Sequence, residues 1–203
     1  MKENLTVILN SKTYQWGGAA FMVASLLFLV NKLNEMSRLF LSRWMPDVID
    51  GQNTLLILLG QLAFIFGYVA FWELYAPRAG RWARIAMRLF CSGGILVAVG
   101  HTSFISALPN FAENLFALVL LGMLLLVSGL IWLGILNLRQ PVMGHWRWLP
   151  LLTGLMGFVG FFLFSGEVMT AVFLLFRTLF ALGLLGLGLT MWLDNEMQVE
   201  IAH

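Results

Sequence analysis

The stretch VFLLFRTLFALGLLG, residues 172–186, carries one charged side chain, Arg177, in a run that has no other charge. An arginine at the centre of a membrane-spanning helix costs at least about 2.5–3.5 kcal/mol before it finds compensation. The stretch therefore predicts a transmembrane helix. The role of Arg177 within this helix needs an explanation.

The composition of the whole chain predicts the same environment. Of its 203 residues, 60% are hydrophobic and 11% are charged, whereas soluble domains are close to half apolar and about a quarter charged. This number of charged residues is too small to cover the water-exposed surface of a soluble domain of 203 residues. The bilayer is therefore the expected solvent. We expect an integral membrane protein, in a bacterial or archaeal cytoplasmic membrane.

Six apolar runs have roughly the length that crosses a bilayer as a helix. Unpaired backbone groups are too costly in lipid, so each run is expected to be helical. No polar linker divides the chain, which predicts a single transmembrane domain over 1–203. The fold class is thus all-α, a polytopic integral membrane helix bundle of six transmembrane helices, with spans at about 14–30, 54–75, 85–108, 115–138, 148–165 and 168–193.

Lysine and arginine predict the orientation of the bundle. Seven basic residues flank the spans on the side of the termini, against three on the other side. The positive-inside rule then places both termini in the cytoplasm. Because these basic residues flank apolar runs and form no continuous basic surface, anionic headgroups are the expected partners and nucleic acid is not.

The connection between the first two spans is the only long one, and its segment 32–45 has two interpretations. Apolar side chains recur there at helical spacing, at Leu33, Met36, Phe40 and Trp44. An amphipathic helix on the outer membrane face would explain the pattern. An extension of the first span explains it equally, because nothing breaks a helix before Pro46.

Glycine pairs recur at a spacing of seven residues, which keeps both members of a pair on one helix face. They are Gly60 and Gly67, Gly93 and Gly100, and Gly122 and Gly129. Small residues in such positions let helix backbones approach closely. We predict that these faces are helix-packing surfaces rather than the lining of a pore.

Catalytic and metal-binding patterns are missing from the sequence. It has no G-x-S-x-G, no H-E-x-x-H and no Gly-rich phosphate loop. The single cysteine, Cys91, allows no disulfide within the chain, and His101 is the only histidine inside a predicted span. We therefore expect neither an enzyme nor a bound metal or cofactor.

Three polar side chains lie at similar depth in the predicted outer half of the bundle. Arg177 lies roughly 13 Å below the outer end of its span, and Gln61 and His101 roughly 10 Å below theirs. Thr102 adds a hydroxyl beside His101. Arg177, His101, Gln61 and Thr102 are the predicted ligand-binding residues.

Each of these residues also has a structural interpretation. Arg177 can extend toward the outer interface, or pair with one of the loop carboxylates Asp47, Asp50, Glu113 and Glu167. Gln61 and His101 can serve in hydrogen bonds between helices. The sequence alone does not choose between these alternatives.

Two functional hypotheses follow. In the first, a polar cavity in the outer half binds or passes a small anionic solute or a lipid headgroup, with Arg177 as the fixed positive charge. In the second, the protein is an accessory or assembly subunit whose faces pack on partner helices or on a second copy of the chain. The number of spans is shared by many unrelated membrane proteins and favours neither.

Overall fold

The computed structural model describes residues 2–44, 54–101, 112–164 and 170–201, which form helices and no strand. A 3₁₀ turn, Ala76–Arg78, follows the second helix, and a π-helical turn, Val159–Leu163, continues the fifth. The predicted all-helical bundle is confirmed. Its helices are α1 (Lys2–Phe40), α2 (Thr54–Tyr75), α3 (Arg81–Gly100), α4 (Ala112–Arg139), α5 (Leu149–Phe158) and α6 (Ala171–Ile201).

Five of the described helical segments are long and apolar enough to cross a membrane: Tyr14–Phe40, Leu55–Arg78, Arg81–Gly100, Leu115–Arg139 and Ala171–Asp194. The protein is therefore a multi-pass membrane protein. The apolar helix formed by α5 and its π-helical turn, Leu149–Leu163, is shorter. A sixth crossing thus remains a prediction.

Each helix packs against the next helix in the chain, and α6 returns to pack against α1. Successive helices run antiparallel. Gly100, at the end of α3, lies against Leu115 near the start of α4, and Gly134 near the end of α4 lies against Leu151 near the start of α5. The described helices therefore form a closed ring, in which the first and last helices are neighbours.

The antiparallel order gives the bundle two ends. One end is formed where α2, α4 and α6 finish, and we call it the Asp194 end, after a buried acid of α6. Arg177 lies toward the opposite end of the bundle. The Asp194 end is the one that the basic residues predict to be cytoplasmic.

The glycines of α3 and α4 are packing positions, as predicted. A Cβ atom added to Gly122 would lie 2.8 Å from the carbonyl oxygen of Gly93. One added to Gly129 would meet the backbone of Phe90. Gly60 differs, since its Cβ would have only a Leu27 methyl group nearby, at 3.8 Å. Backbone contact thus requires glycine at the α3–α4 interface and not at Gly60.

Helix α1 runs without interruption to Phe40, so the described part of segment 32–45 begins as an extension of the first span. The helix ends where Ser42 and Arg43 adopt positive φ angles of 51° and 56°. There the Arg43 backbone N–H donates a hydrogen bond of 2.9 Å to the Ser37 carbonyl oxygen. This extension makes Lys32 and Glu35 part of α1, although the sequence pattern allows them to lie in the loop after the first span.

The predicted orientation can be tested by labelling single cysteines in a Cys91→Ser background. Leu41 is exposed beyond α1, and Gln140 is exposed beyond α4 at the Asp194 end. We expect an impermeant thiol reagent added outside intact cells to label Leu41→Cys and to spare Gln140→Cys until the membrane is permeabilised. The reverse pattern would overturn the orientation.

Candidate functional site

Arg177 lies in α6 with its guanidinium close to two aromatic rings. Its Cζ atom is 4.1 Å from the ring centroid of Phe173, one turn earlier in α6, and 4.3 Å from that of Phe161. Each ring face attracts a nearby cation by about 0.5–2 kcal/mol. Phe161 belongs to the π-helical turn that continues α5, so this irregular turn supplies one of the two covering rings.

Two further charged residues come from α1. Lys32 is only 7% exposed, and its Nζ atom lies 2.7 Å from Oε2 of Glu35, one turn later in the helix. The ammonium also lies 5.8 Å from the ring centroid of Phe28, one turn earlier. The buried ammonium thus lies beside a carboxylate and near an aromatic face.

Electrostatic interactions join these residues across three helices. Glu35 attracts the Arg177 guanidinium, whereas Lys32 repels it. His101, which follows α3 directly, interacts with both cations. Its Nδ1 atom lies 2.9 Å from the Val97 carbonyl oxygen, which can only accept, so Nδ1 carries the proton of that hydrogen bond.

The resulting group, which we call the Arg177 cluster, consists of Lys32, Glu35, His101 and Arg177. With a neutral histidine it contains two positive charges and one negative charge. The Nε atom of Arg177 is buried and has no hydrogen-bond partner among the described residues. The cluster therefore has an excess positive charge and an unused donor in an apolar part of the bundle.

Of the four predicted ligand-binding residues, Arg177 and His101 interact electrostatically, and their role in ligand binding stays a prediction. Gln61 is half-buried on α2, a helix that contributes none of the four residues of the Arg177 cluster. Thr102 lies outside the described residues, as do Asp47, Asp50 and Glu167, whereas Glu113 lies at the start of α4. The carboxylate that interacts with Arg177 in the described part of the chain is Glu35.

Lys32 and Glu35 were not predicted as site residues, although the sequence holds a signal for them. The residues of α1 that face the bundle interior include Phe21 and Ser25, both fully buried. Continuing at helical spacing of three or four residues, this face leads through Phe28 to Lys32 and Glu35. The buried stripe therefore extends into the charged residues without a change of face.

A second buried cluster lies at the Asp194 end. Asp194 is 1% exposed, and its Oδ2 atom accepts hydrogen bonds from the Tyr75 hydroxyl and the Gly144 backbone N–H, both at 2.9 Å. Its Oδ1 atom accepts the His145 backbone N–H at 3.1 Å and lies 2.6 Å from Nδ1 of the same histidine. One carboxylate thus joins α2, α6 and the connection between α4 and α5.

Asn137 fixes the other side of the same connection. Its Oδ1 atom accepts the backbone N–H groups of Val142 and Met143 at 2.7 and 3.0 Å, and its Nδ2 atom donates to the Arg147 carbonyl oxygen at 3.0 Å. These contacts provide hydrogen-bond partners for backbone groups of the connection between α4 and α5. Because these hydrogen bonds of Asp194 and Asn137 all join parts of the same chain, we interpret this cluster as structural.

Comparison of the chain with protein-family models, with curated proteins and with solved structures finds no match. The class of protein is defined by its own fold and surface. It is a multi-pass integral membrane protein, a helix bundle whose apolar helices require a lipid bilayer.

Proposed function

We propose that this membrane protein is non-enzymatic and binds an anion at the Arg177 cluster, as a carboxylate or phosphate of a small solute or of a lipid headgroup. The observation that carries the proposal is the unbalanced charge of Lys32, Glu35 and Arg177 inside the bundle. Charges away from water require partners. Glu35 offsets one of two cations, and a bound anion would offset the other.

The geometry of Arg177 favours an anion with two oxygens. The rings of Phe161 and Phe173 lie close to the guanidinium, which leaves its N–H edge as the surface for a ligand. A planar guanidinium donates two parallel hydrogen bonds to a carboxylate or phosphate, which an ammonium cannot do. The buried Nε atom is one of the donors available along that edge.

The proposal includes a cavity that opens toward the predicted outer face. The segments that connect the helices there include 45–53, 102–111 and 165–169, which lie outside the described residues. Passage of the anion across the membrane is a further part of the proposal. Binding can be tested without it.

The anion-binding proposal predicts opposite effects for two substitutions. Arg177→Lys should weaken binding of short carboxylates or phosphate at least tenfold, about 1.4 kcal/mol, because the two-point contact is lost. Glu35→Gln should strengthen binding, because it removes the carboxylate that competes for Arg177. Thermal-shift titrations of the purified protein with acetate, succinate and phosphate would measure both effects.

Arg38→Lys is the matched control, since Arg38 is exposed in the last turn of α1. It should leave anion binding unchanged. An Arg177→Leu variant that is more stable than the wild type, and that responds to these anions as the wild type does, would refute the proposal. It would show that Arg177 only extends toward the interface.

A further inference from the structure

We infer that a second, separate site at the Asp194 end binds the headgroup of an anionic glycerophospholipid. The site is a cleft of about 220 Å³ between the end of α2 and the start of α3. It shares no residue with the Arg177 cluster. Its lining consists of Trp72, Glu73, Ala76, Pro77, Arg84 and Arg88.

The shape of the cleft follows from the turn that connects the two helices. Pro77 lies in the 3₁₀ turn after α2, and the chain then becomes extended at Ala79, with φ −86° and ψ 138°. Ala76, which has the smallest side chain of the lining, leaves space between the two helix ends. The cleft is smaller than the roughly 300–1,000 Å³ of sites that enclose a whole small molecule, so it suits a headgroup whose acyl chains lie outside.

The charge of the cleft favours a phosphate. Arg84 and Arg88 are exposed and lie one turn apart on α3, so both guanidinium groups can reach the same anion. Arg88 is held near the Trp72 ring, with 5.4 Å between its Cζ atom and the ring centroid. Two arginines can donate several charge-assisted hydrogen bonds to one phosphate.

The start of α3 adds to this positive potential. Its N-cap residue, Gly80, has no side chain that could cap the helix, and the first turn contains no acidic residue. The positive end of the helix dipole is therefore not neutralised locally. Glu73 is the one acidic residue of the lining, and it can accept a hydrogen bond from a headgroup hydroxyl such as that of glycerol.

The surroundings of the cleft favour a lipid over a free phosphate. On α2, Phe66 and Val69 are exposed, 41% and 47% respectively, and at helical spacing they continue the face that carries Trp72 and Glu73. Acyl chains can lie along this apolar face while the phosphate contacts the arginines. Basic pockets between membrane helices bind anionic headgroups in this way.

The inference can be tested by native mass spectrometry of the protein in detergent, titrated with phosphatidylglycerol, phosphatidylcholine or soluble glycerol 3-phosphate. We expect bound phosphatidylglycerol and at least tenfold weaker phosphatidylcholine. Arg84→Gln and Arg88→Gln should each weaken phosphatidylglycerol binding about tenfold. Arg139→Gln, at an exposed arginine of the same bundle end outside the cleft, should not weaken it.

Three results would overturn the inference. An equal loss with Arg139→Gln would show that the general surface charge attracts the lipid. Equal binding of both lipids would show that the negative charge of the headgroup plays no part. Glycerol 3-phosphate binding as tightly as phosphatidylglycerol would identify a site for a free phosphate. Because Arg84 and Arg88 are exposed, the variants should retain the wild-type melting temperature in phosphatidylcholine, which excludes misfolding as the cause of a loss.

Discussion

Replacing Asp194 with alanine should destabilise the protein by about 3–5 kcal/mol, because it strands several buried donors at once. The Tyr75 hydroxyl and the backbone N–H groups of Gly144 and His145 would all lose their acceptor. Each stranded group costs about 1–3 kcal/mol. Unfolding of the purified protein in detergent, followed by heat or denaturant, would measure the loss.

A double substitution separates the hydrogen bonds of Asp194 from a general packing effect. Tyr75→Phe removes one donor, so the combination with Asp194→Ala should cost less than the sum of the two single changes. Glu73→Ala, at an exposed acid of the same bundle end, should change stability by less than about 0.5 kcal/mol. An Asp194→Ala variant as stable as the wild type would show that the cluster does not hold the helices together.

Replacing Gly93 or Gly122 with leucine should be at least as damaging. A Cβ atom on Gly93 would collide with the Leu126 backbone, and one on Gly122 would lie 2.8 Å from the Val97 backbone nitrogen. Overpacking typically costs about 1–3 kcal/mol and more where the structure cannot move. Because the obstacle is backbone, we expect a loss above this range, with α3 and α4 forced apart.

Gly60→Leu is the matched control, since it introduces the same side chain into a helix at a glycine whose added Cβ atom would meet only a Leu27 methyl group, at 3.8 Å. It should be neutral or stabilise the protein by up to about 1 kcal/mol, because leucine favours a helix more than glycine does. Thermal unfolding of all three variants in one detergent makes the comparison. Equal melting temperatures for all three would contradict the close α3–α4 approach.

The sequence predicts the helical fold and the packing role of the α3 and α4 glycines because apolar length and the spacing of small residues are local properties. The similar depth of Arg177 and His101 in the predicted spans also suggests that they are neighbours, and the two side chains interact electrostatically. The sequence does not predict Lys32 and Glu35 as partners of Arg177, because their charges resemble those of a loop and only tertiary packing shows that Lys32 is buried and Glu35 partly buried. The hydrogen bonds of Asp194 escape prediction for the same reason, since His145, one of its partners, lies 49 residues away in the chain.

The pairing of α1 with α6 has a consequence for biosynthesis. Lys32 and Glu35 belong to α1, which leaves the ribosome before α6, and they can neutralise each other from the start. Arg177 belongs to α6, and at about 5–20 residues per second it is translated several to about thirty seconds later. When α6 reaches the bilayer, its arginine therefore meets a carboxylate that is already in place. Entry of α6 should then depend on α1, so that truncating α1 would retain α6 at the translocon.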